Sequence, residues 1–163
     1  MITRERVKEL LDYNPVEGVL RWKVRTARCV RIGEIAGQGH RGEKGYNIGI
    51  NGKRYKTSRI CFLHYYGFLP ETVDHINRNP HDNRIINLRA ATNAENCRNR
   101  KPYGSSKYLG VSWFKQSGKW KAQIKHDGEV IYLGLFEKDY EAAVAYNIAA
   151  MELNGEFANL NEI

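Results

Sequence analysis

The sequence predicts an α+β protein built in two parts, and three observations carry that prediction. Segments with helical spacing of apolar residues stand beside segments that alternate apolar and polar side chains, so neither class alone accounts for the chain. Asn51-Gly52 and Asp127-Gly128 each sit between alternating runs and mark two-residue hairpins, which build antiparallel sheets. Residues 101–106, KPYGSS, collect Pro, Gly and Ser where the pattern changes, and read as a linker. The expected organisation is a first unit at residues 1–101, a linker at 102–107 and a second domain at 108–163.

In the first part, Thr3 is placed to cap a helix running to about Tyr13, with Val7, Leu10 and Leu11 on one face and Asn14-Pro15 as its stop. Residues 18–24 set Leu20, Trp22 and Val24 against Val19, Arg21 and Lys23, a strand with one apolar face. Residues 25–45 are rich in Gly and Arg and have no clean period; a mobile basic loop and a long surface connection both fit them. The Asn51-Gly52 hairpin then puts Lys53, Arg54 and Lys56 on or beside a strand. Thr57 or Ser58 is expected to cap a helix over residues 59–66, closed by Gly67 and burying Ile60, Leu63, His64 and Phe68. A lone histidine at the position of His64 reads as core, whereas His40, His81 and His126 read as surface residues.

Residues 73–100 concentrate acid, imidazole and amide groups in one arginine-rich stretch. Residues 72–76 read as a short strand, residues 77–83 as a loop forced by Asn, Pro and Asp, and a helix begins near Thr92. Thr92 and Glu95 have capping-box spacing, which puts Asn96 one turn inside that helix. A hard divalent cation, magnesium or alternatively manganese, takes a few oxygen ligands besides water and phosphate, and Asp74 and Asn96 offer them. His75 offers a base whose pKa lies near neutrality. Adjacent strand residues point to opposite faces, so Asp74 and His75 serve one site only if the strand ends or bends between them.

The charge distribution names the partner class. The net charge is +8, and residues 1–73 hold 14 Lys or Arg against 7 acids, while residues 104–163 hold 6 against 8. A basic first part is expected to grip a polyanion through its phosphates. Cys29, Cys61 and Cys97 are far apart, odd in number and without a Cys-x-x-Cys pair, which argues for free thiols and against structural zinc. The start MITRERVKELL lacks the apolar core of a signal peptide and no run reaches membrane length, so a cytoplasmic, intracellular protein is expected.

Asp74, His75, Asn87 and Asn96, in that order and with the pattern N-P-x-D-N-R-x-x-N-L around them, resemble the HNH nuclease family, in particular its phage and intron-encoded homing endonucleases. The resemblance implies a ββα-metal nuclease unit in which His75 activates water, Asp74 and Asn96 hold the metal, and Asn87 ties the loop that orients His75. Asn83 competes with Asn87 for that structural role. Arg78, Arg84 and Arg98, with Lys53, Arg54 and Lys56, are the expected DNA contacts of this part, and His81 lies close enough in the loop to add to them.

In the second part, residues 109–114, 118–126 and 129–136 read as three strands, separated at Gln116-Ser117-Gly118 and Asp127-Gly128. Residues 139–153 read as a helix ended by Asn154-Gly155, with Ala142, Ala145 and Ala149 letting it lie close on a sheet. Alternation sends Trp120, Ala122 and Ile124 toward the helix and Lys119, Lys121, Gln123 and Lys125 away from it. The segments YLGVSW, GKWKAQIK, YLGLF, EAAVAYNIAA and GEFANLN, with Gly110, Trp120, Gly134, Phe136, Ala145, Tyr146 and Asn159, resemble the plant ethylene-response-factor (APETALA-two) domain. That resemblance implies a small domain of three-stranded antiparallel sheet packed on one helix, whose open face binds DNA. Ser112 stands where plant members have first-strand arginines and Tyr132 where they have a tryptophan, so their target sequence does not carry over. Two functions follow as expectations: a metal-dependent, site-selective DNA endonuclease leaving 5′-phosphate and 3′-hydroxyl ends, or a DNA-binding regulator with an inactive nuclease fold. One site per chain implies nicking by a monomer, and a homodimer would be needed to cut both strands.

Overall fold

A computed structural model describes residues 2–37, 45–99 and 106–163. The chain is α+β and divides into two compact units, Met1–Asn96 and Cys97–Ile163. His40, Arg41 and most of the expected linker lie outside the described residues.

The first unit opens with helix α1 (Arg4–Leu10), whose first-turn amide of Arg6 donates to the Thr3 hydroxyl at 3.3 Å. The helix stops at Leu10, three residues short of the expected end. From Leu11 the sequence alternates buried Leu11 and Tyr13 with exposed Asp12 and Asn14, and strand β1 (Leu11–Asn14) pairs antiparallel with β2 (Val19–Trp22). The turn between them is set by Asn14, whose side-chain oxygen accepts the amides of Val16 and Glu17. Sheet pairing and this turn outweigh the helical spacing of Leu10 and Leu11. A third strand, β3 (Ile35–Ala36), pairs with β2, and the Gly33 carbonyl accepts from the Arg21 guanidinium at 2.9 Å. Residues 25–37 are therefore a connection bonded onto β2.

Strands β4 (Asn47–Ile50) and β5 (Lys53–Lys56) form the expected hairpin, with φ of 50° at Asn51 and 73° at Gly52. Helix α2 (Thr57–Tyr66) follows without a side-chain cap. Thr57 and Ser58 are buried and the Thr57 hydroxyl donates to the Gly37 carbonyl, so neither residue caps the helix as expected. Gly67 ends α2 at φ 86°. Ile60, Cys61, Phe62 and Leu63 enter the core beside Val7, Leu11, Leu20, Ile48, Val73 and Leu88, but Phe68 is 53% exposed and lies outside the buried face assigned to it. Strands β6 (Thr72–His75) and β7 (Leu88–Ala91) pair antiparallel and are followed by α3 (Asn93–Arg98).

The second unit is a sheet of β8 (Val111–Phe114), β9 (Lys119–His126) and β10 (Glu129–Phe136) in the order β10-β9-β8, with α4 (Asp139–Asn154) packed on one face. Ala122 and Ile124 are buried among Ala142, Ala143, Ala149 and Ala150, whose small side chains permit close approach. At Gly110 a Cβ would collide with the Tyr146 ring and the Gln123 carbonyl, so this position requires glycine. The Asn161 side chain accepts from the Leu109 amide and donates to its carbonyl, tying the chain end to the start of the unit.

Candidate active site

Strand β6 runs Val73 into the core and places Asp74 opposite Arg89 of β7 and His75 opposite Leu88. It ends at His75. The His75 carbonyl accepts from Arg78, which turns the chain with φ 61°, and the Ile76 amide donates to the Asn87 carbonyl at 3.0 Å. Asp74 and His75 are thus the last two residues of the strand, both still paired with β7, and the chain turns directly after them.

The loop after His75 is held by amide side chains bonding to backbone, as an Asn- and Asp-rich sequence favours. Asn77 Oδ1 accepts from Asn79 N, and Asn79 Oδ1 from His81 N. Asn87 is buried and fastens both ends of the loop: its Oδ1 accepts from Asn77 N at 2.9 Å, and its Nδ2 donates to the Asp82 carbonyl at 2.8 Å. Asp82 receives two bonds from the Arg84 guanidinium, at 2.8 and 2.6 Å, which hold its carboxyl down at about 2. Arg84 is half-exposed, and its expected DNA role would be played from within this pair.

His75 is reached by Asn83. Asn83 Oδ1 lies 3.2 Å from His75 Nε2, Asn83 is itself buried, and its carbonyl accepts the Tyr13 hydroxyl at 2.6 Å. The two asparagines that compete in the sequence therefore divide the work: Asn87 braces the loop and Asn83 meets the imidazole. Burial holds the His75 pKa below the ordinary histidine value, although Asn83, Asp74 and Asp82 pull it upward, so the ring favours the neutral form that can take a proton. His81 is not the surface residue expected. Its ring packs edge-on against Tyr46 at 4.5 Å and its Nδ1 is buried with no hydrogen-bond partner among the described residues. His64 is half-buried, edge-on to Tyr13 at 5.8 Å, and burial lowers its pKa.

Asp74 is buried and takes Arg89 Nε and an Arg89 terminal nitrogen on the same oxygen, Oδ2, each at 2.8 Å. Asn96 is half-buried in the second turn of α3, behind the expected box: the Thr92 amide and hydroxyl both donate to Glu95 Oε2, and the Glu95 amide donates back to Thr92 Oγ1. Asp74 offers carboxylate oxygen and Asn96 amide oxygen, the donor type that a hard divalent cation takes besides water and phosphate. No group of three His, Cys, Asp or Glu side chains that could hold a metal ion occurs among the described residues.

Residues 55–98 match the HNH endonuclease family. The matched residues span β6, β7 and α3. A protein of Acanthamoeba polyphaga mimivirus named an uncharacterised HNH endonuclease is 32% identical over 125 residues, covering 75% of this chain and 65% of its own length. APETALA2-like protein 2 of Oryza sativa subsp. indica is 39% identical over 57 residues, 35% of this chain. An AP2-like ethylene-responsive transcription factor of Arabidopsis thaliana is 43% identical over 54 residues, 32% of this chain. The chain spans only 13% and 16% of the lengths of these two plant proteins.

The HNH segment contains all four motif residues and begins inside β5. Lys53 and Arg54 precede it, and together with Lys56 they are exposed. Arg78 is half-buried, and the Arg98 side chain lies outside the described residues. On the second unit's open sheet face, Lys121 and Gln123 are half-buried, Lys125 is exposed, and Tyr132, opposite Gln123, is 60% exposed. Lys119 differs from its neighbours because Glu137 holds its ammonium at 2.8 Å. Sequence reasoning missed Arg89 and Tyr13. The register that sets Arg89 beside Asp74 depends on where both strands end, and Tyr13 lies 70 residues before its partner.

Proposed function

We propose that this chain is a metal-dependent, site-selective DNA endonuclease of the homing type, acting on double-stranded DNA in a phage-infected or bacterial cell. The observation that carries the reading is His75, neutral by burial and held by Asn83 at the end of β6, beside the Asp74 carboxylate within the HNH segment. In this reading His75 removes a proton from the attacking water, and Asn87 keeps the loop folded so that the ring stays in place. Asp74 and Asn96 would hold a divalent cation, magnesium or manganese, which when bound supplies positive charge for the phosphate and the leaving 3′ oxygen. The products are a 5′ phosphate and a 3′ hydroxyl. Lys53, Arg54, Lys56 and Arg78 grip phosphates, and the open face of the second unit, through Lys121, Gln123, Lys125 and Tyr132, selects or anchors the site.

A second reading is a DNA-binding regulator, and the Asp74–Arg89 ion pair favours it by giving the carboxylate a guanidinium partner. Supercoiled plasmid with candidate sites, incubated with protein and Mg²⁺, separates the two. The endonuclease reading expects relaxed or linear product from the wild type and none from His75→Ala. DNA binding without cutting on any sequence would favour the regulator.

A further inference from the structure

Helix α4 is apolar on two opposite faces. Ala142, Ala143, Ala149 and Ala150 are buried on the side of the sheet. Tyr140, Val144, Ile148 and Met151 follow at intervals of four, four and three residues, which lines them up as one stripe. The stripe is about 16 Å long and, at about 100° per residue, faces roughly away from the alanines. Its four side chains are 42–51% exposed. Beside it runs the chain after α4, tied on by Asn147 and Asn161, which exchange hydrogen bonds at 2.7 and 2.9 Å, and there Leu160 is exposed as well. A helix that is apolar all round is a helix with neighbours all round. An exposed apolar patch with polar residues at its rim marks a surface of association.

The two ends of the stripe carry opposite charges, and these identify the occupant. Lys138 is exposed just before Tyr140, with its ammonium 5.6 Å from the centre of the Tyr140 ring. Glu152 is exposed just after Met151. Within one chain the two lie about 21 Å apart along the helix and cannot meet. They do meet if a second copy is laid antiparallel on the first. A single two-fold axis level with the middle of α4 then sets Val144 against Ile148 of the second copy, Tyr140 against its Met151 and Lys138 against its Glu152, and each contact occurs twice. A thioether against an aromatic ring is favourable in itself. A parallel pair would set Lys138 against Lys138 and Glu152 against Glu152. We propose that the outer face of α4 is a self-association surface on which two copies of this chain pair as antiparallel helices. One helix pair is a small interface, so the dimer is weak, with a Kd on the order of 10–100 µM. Because the stripe faces away from the sheet, pairing leaves Lys121, Gln123 and Lys125 open to DNA.

Sedimentation velocity of the full chain under reducing conditions, without DNA, tests the contact over a concentration range reaching about 200 µM, well above the expected Kd. The wild type should pass from the mass of one chain to that of two. Ile148→Glu, which puts a carboxylate into the apolar centre of the contact, should raise the Kd by at least about tenfold. Val144→Lys should do the same, and it decides the matter should the first variant not fold. At low salt Lys138→Glu and Glu152→Lys should each raise the Kd by roughly fivefold, and the double variant Lys138→Glu/Glu152→Lys should return it to within about twofold of the wild type. That rescue is available only between chains. A wild type that stays monomeric throughout overturns the proposal and gives the stripe to a different occupant. Dimers that Ile148→Glu and Val144→Lys leave unchanged also overturn it, as does a double variant no better than the single ones, which removes the antiparallel register. Duplex binding by Ile148→Glu at nanomolar concentration, where the chain is monomeric, should match the wild type within about twofold; lost binding would make DNA the occupant and overturn the proposal. The inference stands apart from the endonuclease reading: a chain that dimerises through α4 and never cuts DNA keeps the contact and sinks that reading instead.

Discussion

Arg89 places Nε and a terminal nitrogen on a single oxygen of Asp74, both at 2.8 Å, across the two-stranded sheet that carries the candidate site. The side chains are 17% and 5% exposed, so this is a buried ion pair. Removing one member of such a pair costs more than its formation gains, because the remaining charge keeps its desolvation penalty. Arg89→Ala is expected to destabilise the chain by about 3 kcal/mol, read from the urea midpoint at neutral pH. Asp74→Asn, which removes the charge and keeps the shape, should cost less in stability while abolishing Mg²⁺-dependent cleavage. Equal stability losses in the two variants would refute this account of the pair.

His75→Ala should leave the urea midpoint within about 1 kcal/mol of the wild type and reduce nicking by about 10² to 10⁴-fold, the range for loss of a positioned general base. Activity that persists at wild-type level assigns the base elsewhere.

The acid limb of the rate profile follows from the environment of His75. Burial lowers its pKa, so kcat/KM should fall only below about pH 6.5, the value of a free histidine. The same sign governs stability. Between the depressed folded pKa and about 6.5 the unfolded chain binds the proton and the folded chain does not, so stability from His75 and from similarly buried His64 declines as pH falls through that window. Urea midpoints should therefore drop between about pH 7.5 and 5.5, and less so in His64→Gln. Asp82 acts in the same sense and lower down: its stabilisation is present above the ordinary 3.8 and is lost as pH falls toward about 2.

Much of this architecture is legible in the residues themselves because its signals are local. Asn51-Gly52 and Asp127-Gly128 need positive φ, and both adopt it. The Thr92–Glu95 box is a three-residue relationship and forms. The alternation of Trp120, Ala122 and Ile124 gives the inner face of β9 directly. What escapes is decided at a distance. Leu11 leaves its helix because Trp22 pairs with it, and Thr57 is diverted from capping by a carbonyl 20 residues away. His81 looks like a surface residue in a polar loop, and only the fold reveals the Tyr46 ring against it. Within the candidate site the residue types were readable, whereas the partners of Asp74 and His75 required strand register and the hairpin contact.

Two glycines separate steric need from backbone preference. Gly110 and Gly118 both have positive φ, at 68° and 63°, but a Cβ at Gly110 meets the Tyr146 ring and the Gln123 carbonyl, whereas at Gly118 it meets nothing within 4 Å. Gly118→Ala should cost about 1 kcal/mol from the left-handed conformation alone. Gly110→Ala should cost distinctly more, because the α4 contact with β9 must open as well. Thermal melts of the full chain, with Trp120 fluorescence following the second unit, provide the comparison.

The open sheet face offers the last expectation, and the ion pair at its edge makes it selective. Lysines that neutralise phosphates release counterions, and each lost contact lowers the slope of log affinity against log salt by about 0.9. Lys121 and Lys125 should each behave this way on substitution by alanine, weakening binding to all duplexes alike. Lys119 begins from a different state, because Glu137 already neutralises its ammonium at 2.8 Å, so DNA must first compete with that carboxylate. Lys119→Ala should therefore change the slope by less than Lys125→Ala does, and Glu137→Gln should strengthen binding and steepen the slope. Gln123→Ala and Tyr132→Phe carry no charge change; if they touch bases they should alter preference among sequences while leaving the salt slope as it was. Filter-binding or fluorescence titrations of the full chain at several salt concentrations measure all of these. Equal slopes for the three lysine variants and the wild type would remove the sheet face from the DNA contact altogether.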